Sequence, residues 1–216
     1  MAAYDLEEQD KLADLKAYWA AKGGLITALV TAACVVVIGL QGYRWYNKTQ
    51  AEKASVLYTA VSEVAAAQGD KKDLPKAKEA TAALIAQFPN TGYAPRAALL
   101  LAKQLFDTKD LEGAKTQLAW VAANSKEGEL KQIARIRAAS VAMDQKKYDE
   151  ALGFLDGKFD ASMEGIVLDA KGDVFQAAGK PADAKTAYTS ALEKLDAKSQ
   201  ARAFTQLKLD TLGAIK

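Results

Sequence analysis

Histidine is absent from this chain of 216 residues, and Cys34 is its single cysteine. Without imidazole there is no Ser/His/Asp or Cys/His nucleophile arrangement, and the commonest general base and metal ligand are missing. A lone cysteine closes no intramolecular disulfide and, with no histidine beside it, builds no Cys/His zinc site. No Gly-x-Gly-x-x-Gly or Gly-x-x-x-x-Gly-Lys-Ser/Thr string is present to cradle a phosphate. The net charge is only +2, without the basic clustering that marks nucleic-acid binding. Proline is confined to Pro75, Pro89, Pro95 and Pro181, and β-branched alternation is missing, so little interrupts a helix and nothing favours strands. Catalysis by carboxylates alone has no specific support. The expectation is therefore an all-α protein that is not an enzyme and takes no cofactor, metal or nucleic acid.

What the chain does contain is a stretch without charge, Gly23–Tyr43, whose centre is almost purely Leu, Ile, Val, Ala, Thr and Gly. A helix crosses about 30 Å of hydrocarbon with roughly 20 such residues. Tyr18 and Trp19 precede the stretch and Tyr43, Trp45 and Tyr46 follow it, which suits rings at two headgroup levels. A cleaved signal peptide fits poorly: it would open on a short positive region, whereas residues 1–22 carry five acids against three lysines. The apolar run also continues beyond the weak lipoprotein-like string Thr31-Ala32-Ala33-Cys34. Orientation is not set by charge, since Lys11, Lys16 and Lys22 on one side balance Arg44, Lys48 and Lys53 on the other. Length favours a cytoplasmic N-terminus, because a long following domain translocates largely regardless of charge. In the first segment Leu12, Leu15 and Trp19 fall at i, i+3 and i+7. The five acids would resist anionic lipid, so this stripe is expected to contact a protein partner. The expected division is an acidic amphipathic segment at 1–22, a transmembrane helix at 23–43 and a soluble domain at 44–216.

In that domain the pattern predicts helices over Thr49–Gln68, Leu74–Gln87, Ala94–Asp107, Leu111–Asn124, Glu127–Asp144, Tyr148–Leu155, Ala161–Ala178, Pro181–Leu195 and Ser199–Leu212. Breaks fall at Gly69-Asp70, Phe88-Pro89-Asn90-Thr91-Gly92, Asn124-Ser125 and Gly179-Lys180-Pro181. The run Asp70-Lys71-Lys72-Asp73 reads as a solvated turn. Leu168, Gly172, Phe175, Ala184, Tyr188 and Ala191 are spaced as in the tetratricopeptide repeat, a helix–turn–helix of about 34 residues that this segment resembles. Asp196 stands where that family's terminal proline would be. Ala77, Ala114, Ala151 and Ala184 lie 37, 37 and 33 residues apart, close to the same period. The resemblance implies a solenoid of about four helix pairs with Ser199–Leu212 as a C-terminal capping helix. The family's groove positions, carried over by register, are Arg96, Leu99, Lys103 and Phe106, then Ile133, Ile136, Ser140 and Met143, then Ile166, Asp169, Asp173 and Gln176. These are the expected partner-binding residues.

The acidic start Tyr4-Asp5-Leu6-Glu7-Glu8-Gln9-Asp10, the single span and the string Gln87-Phe88-Pro89-Asn90-Thr91-Gly92-Tyr93-Ala94 together resemble the YfgM-type ancillary subunits of the bacterial Sec translocon. That resemblance implies a single-pass inner-membrane protein with a cytoplasmic N-terminus and a periplasmic repeat domain. As partners it implies Sec translocon subunits and a membrane-anchored periplasmic chaperone of the prolyl-isomerase type. The implied function is that of an adaptor at the translocation channel, binding the chaperone or emerging client polypeptides through the repeats. The alternative on the same scaffold is an envelope-organising adaptor for cell-wall synthesis or division.

Overall fold

The computed structural model describes residues 6–67 and 73–214, all of whose regular structure is helical. The turn at Gly69-Asp70, most of the run Asp70–Asp73, and Tyr4-Asp5 of the acidic string lie outside the described residues. In chain order the helices are α1 (Leu6–Ala66), α2 (Leu74–Gln87), α3 (Tyr93–Asp107), α4 (Leu111–Asn124), α5 (Gly128–Asp144), α6 (Tyr148–Leu155), α7 (Ala161–Ala177), α8 (Pro181–Lys194) and α9 (Gln200–Ala214). Most match the expected bounds to within a residue. The exceptions are α9, which runs two residues past the expected Leu212, and α1, where the expected helix from Thr49 continues the apolar stretch without a break. Two compact units divide the chain, Met1–Thr49 and Gln50–Lys216.

In the first unit, α1 is the one helix among the described residues long and apolar enough to cross a membrane. Leu25, Leu29, Val30, Val35, Ile38 and Leu40 are all exposed. The hydroxyls of Thr27 and Thr31 donate to the carbonyls of Gly23 (2.6 Å) and Thr27 (2.8 Å), so both polar groups are satisfied inside the helix. Cys34 is free and exposed on this surface.

In the second unit each helix from α2 onward packs on the next, and α3, α5 and α7 also touch in turn, the contact pattern of stacked helix pairs. The tail of α1 joins this stack through Ala54 and Val61, which share a core with Leu84, Ala94 and Ala97. The four evenly spaced alanines, Ala77, Ala114, Ala151 and Ala184, are all 0% exposed. A small side chain at such a fully buried position lets packed helices approach closely. In the last pair a Cβ on Gly172 would stand 2.4 Å from the Tyr188 ring. Tyr188 is fully buried there. The register position of Gly172 is filled by the buried Ala139 in α5 and Ala102 in α3, and that of Tyr188 by Leu155 and Leu118.

The turns follow from local chemistry. Asp73 and Asp110 cap α2 and α4 by accepting from the backbone N–H of Lys76 (3.1 Å) and Gly113 (3.0 Å). Gly179, at φ +74°, ends α7 in the left-handed conformation that glycine adopts without strain, and Pro181 opens α8.

Candidate partner-binding groove

Successive first helices α3, α5 and α7 lie side by side and present the expected groove positions. Arg96, in the first turn of α3, is taken up by the protein itself. Its Nη1 and Nη2 donate to Glu127 Oε1 (2.6 Å) and Oε2 (2.8 Å), a bidentate clamp between the starts of α3 and α5. This bond to the guanidinium holds the Glu127 carboxyl below its usual range.

Further along, four expected residues converge on one cavity of about 320 Å³: Leu99, Lys103 and Phe106 from α3, and Ser140 from α5. Ala102, Leu118 and Val141 complete its apolar floor, and Arg137 stands at its edge. Leu99 and Phe106 are half-buried, packing on the core that holds Leu101, Leu105 and Leu118 while keeping part of their surface open. Lys103 reaches Asp107 at 2.8 Å along its own helix. Lys109 lies over the Phe106 ring at 5.7 Å from the centroid. Arg137 and Lys109 were not singled out by the sequence reading. A signal existed for the first, because Arg137 follows Ile133 by four residues and so shares its face of α5.

Ile136 and Met143 are half-buried against the next core, with Ala139, Ala142 and Val167. Ser140, Met143 and Asp173 line a shallow pit between α5 and α7. Ile133 is half-buried and Ile166 is exposed.

On α7 the groove positions have found an internal partner. Lys208 of α9 donates to Asp169 Oδ2 and Asp173 Oδ2, both at 2.8 Å, and the Thr205 hydroxyl donates to Asp169 Oδ1 at 2.8 Å. The Tyr188 hydroxyl reaches Asp173 (2.7 Å) and Gln176 (2.9 Å). Burial of Lys208 disfavours its charge, but the bonds to Asp169 and Asp173 outweigh that, so its pKa lies above the usual value. The Tyr188 phenol is pushed far up by burial and then by Asp173, and stays neutral. Asp169, Asp173 and Gln176 thus hold the end of the stack together, while the open part of the groove lies on α3 and α5. The outer face of α9 leaves Phe204 and Leu207 more than half exposed.

The loop that positions α7 against α5 depends on two residues the sequence did not reveal. Arg135 donates to the carbonyls of Phe154 (3.0 Å), Lys158 (3.2 Å) and Asp156, and its guanidinium lies 4.0 Å from the centroid of Phe159. Gln132, almost fully buried, exchanges two bonds with Asp160: its amide donates to the carboxylate (2.6 Å) and accepts from the backbone N–H (2.7 Å).

In the N-terminal unit, Leu12, Leu15 and Trp19 are 49%, 62% and 58% exposed. Among the described residues no group of three histidine, cysteine, aspartate or glutamate side chains is placed to hold a metal ion.

A family model described as a tetratricopeptide repeat-like domain matches residues 16–214. Among curated proteins, the ancillary SecYEG translocon subunit of Neisseria gonorrhoeae is 31% identical over 212 residues, covering 98% of this chain and 100% of that protein. The protein of the same name from Escherichia coli K12 is 30% identical over 212 residues, covering 95% of this chain and 96% of its own length.

Proposed function

Starting from a chain that belongs to the tetratricopeptide repeat-like family of ancillary SecYEG translocon subunits, we propose that it is a membrane-anchored adaptor. In this reading α1 crosses the inner membrane with its N-terminus in the cytoplasm, and the repeats stand in the periplasm beside the translocation channel. The repeat domain holds a membrane-anchored chaperone of the prolyl-isomerase type, or emerging client polypeptides. Leu12, Leu15 and Trp19 contact a translocon subunit. The work is binding, not chemistry.

The observation that carries the reading is the open apolar strip on α3 and α5. Leu99, Phe106, Ile136 and Met143 keep part of their surface accessible in a groove, where a merely solvated concavity would be polar. A groove of this kind suits an extended peptide or a partner helix laid along it.

Gentle detergent extraction of the full chain, followed by identification of co-purifying proteins, tests the reading. Translocon subunits with a periplasmic chaperone support it, whereas cell-wall synthases in their place favour an envelope-organising adaptor. Protease added to spheroplasts should digest the repeats. Survival of the repeats until lysis, with removal of a tag at Met1, would invert the orientation and remove the proposed periplasmic partners.

A further inference from the structure

We infer that the cavity between α3 and α5 receives a partner segment in which an apolar side chain stands next to carboxylates. This rests on the adaptor reading and specifies the chemistry of what the groove takes.

The floor of the cavity is apolar, made by Leu99, Ala102, Phe106, Leu118 and Val141, and its volume of about 320 Å³ holds at least one large side chain. The charge around it is one-sided. Lys103 and Arg137 line the cavity, and Lys109 stands over the Phe106 ring 5.7 Å from its centroid. Only Lys103 has a carboxylate partner, Asp107, on the same helix. Among the described residues none is within salt-bridge distance of Arg137 or Lys109. The acids on α7 do not compensate for these cations, because Asp169 and Asp173 are already bound to Lys208. An apolar side chain entering the cavity therefore brings its neighbours against Arg137 and Lys109, which have no carboxylate partner among the described residues, and there carboxylates gain charge-assisted bonds while lysines or arginines are repelled. Arg137 offers a planar fork that can grip one carboxylate with two bonds.

Two fluorescent peptides of equal length, one of leucine and glutamate and one of leucine and lysine, test this against the full chain in phosphatidylcholine nanodiscs. Fluorescence anisotropy should show the wild-type chain binding the acidic peptide at least about tenfold more tightly than the basic one, with the preference shrinking as salt is raised. The double variant Lys103→Glu/Arg137→Glu should reverse that preference. Both side chains are exposed, so folding should survive; the single variant Arg137→Gln, which only weakens the acidic peptide, checks this independently. Equal binding of the two peptides by the wild type, or an unchanged preference after charge reversal, overturns the inference. A photoreactive amino acid at Ser140 separates this from failure of the adaptor reading. If a translocon-associated protein still cross-links there while the peptides are not discriminated, the groove reading stands and the acidic chemistry falls. Discrimination without such a cross-link supports the acidic chemistry and counts against the translocon role.

Discussion

Gly172→Ala should destabilise the repeat domain although alanine is the better helix former. The added Cβ would stand 2.4 Å from Cδ1 and Cε1 of Tyr188 and 2.9 Å from Cζ, distances at which something must move. Tyr188 has nowhere to go, since it is 0% exposed and its hydroxyl is bound to Asp173 and Gln176. Overpacking of a tight core contact costs about 1–3 kcal/mol. Displacing the ring also breaks a hydroxyl bond to a carboxylate, worth about 1.5–3 kcal/mol, while the gain in helix propensity returns about 1 kcal/mol. The net loss is about 1.5–5 kcal/mol, or a fall in Tm of about 3–20 °C for a domain of this size. The assay is thermal unfolding of the purified full chain in detergent, followed by helical circular dichroism. Gly153→Ala is the control: it lies inside α6, a Cβ there would meet nothing within 4 Å, and stability should rise by about 0.5–1 kcal/mol. In the double variant Gly172→Ala/Tyr188→Leu part of the loss should return, giving a non-additivity above about 0.5 kcal/mol. If Gly172→Ala melts at or above the wild type, as Gly153→Ala should, the close contact is not what requires glycine and the reasoning fails.

Lys208→Met should loosen α9, seen as faster hydrogen exchange across Gln200–Ala214. Because the folded-state pKa of Lys208 is raised, its contribution is complete below the unfolded value of about 10.4 and is lost as pH rises through the folded one, so the wild type should show the same loosening in alkali. Phe204→Ser and Leu207→Ser, on the exposed face of the same helix, should change stability by no more than about 0.5 kcal/mol in chemical unfolding. Arg135→Ala should expose the α6–α7 loop to proteolysis near Asp156–Lys158, and Arg135→Lys should fail to restore protection, because an ammonium cannot span three carbonyls and a ring. The Arg96–Glu127 clamp should open in acid, since Glu127 titrates below its usual range: its contribution is present above about pH 4.3 and lost as pH falls through the lowered value, and exchange at the start of α3 reports it.

Much of the fold was legible because its signals are local. Gly179 before Pro181 is a signal carried by three adjacent residues, and the 37, 37 and 33 spacing of four buried alanines is a simple period; the caps by Asp73 and Asp110 emerge only in the structure, where the run ending at Asp73 reads from sequence as a solvated turn. The first repeat unit was faint for a physical reason. At the register of Leu118, Leu155 and Tyr188 it carries Thr81, which is fully buried, so its sequence offers no large apolar mark at that point. The break expected before Thr49 had no stop signal to support it, and the helix runs on. The groove positions, carried over by the family register, could not show which side chains were already engaged. The partners of Arg96, Asp169 and Asp173 lie 31, 36 to 39 and 15 to 35 residues away, beyond any helical repeat.

That distinction also indicates how this scaffold reads a helix. At equivalent register α7 offers Ile166, Asp169, Asp173 and Gln176, and the helix that settles there, α9, answers with Thr205 and Lys208. The acids and the lysine are partly buried together, and each supplies what the other lost from water; a helix with glutamate at position 208 would leave like charges facing in a partly desolvated contact. On α3 and α5 the same positions hold Leu99, Lys103, Phe106, Ile136, Ser140 and Met143, with Arg137 beside them. The backbone frame is the same, so the same rule applies with the signs exchanged: a segment resembling α9 would be rejected there, and one carrying an apolar anchor with acids would be accepted. One chain thus presents two stretches of groove with opposite demands, and the acidic stretch is closed by its own terminal helix.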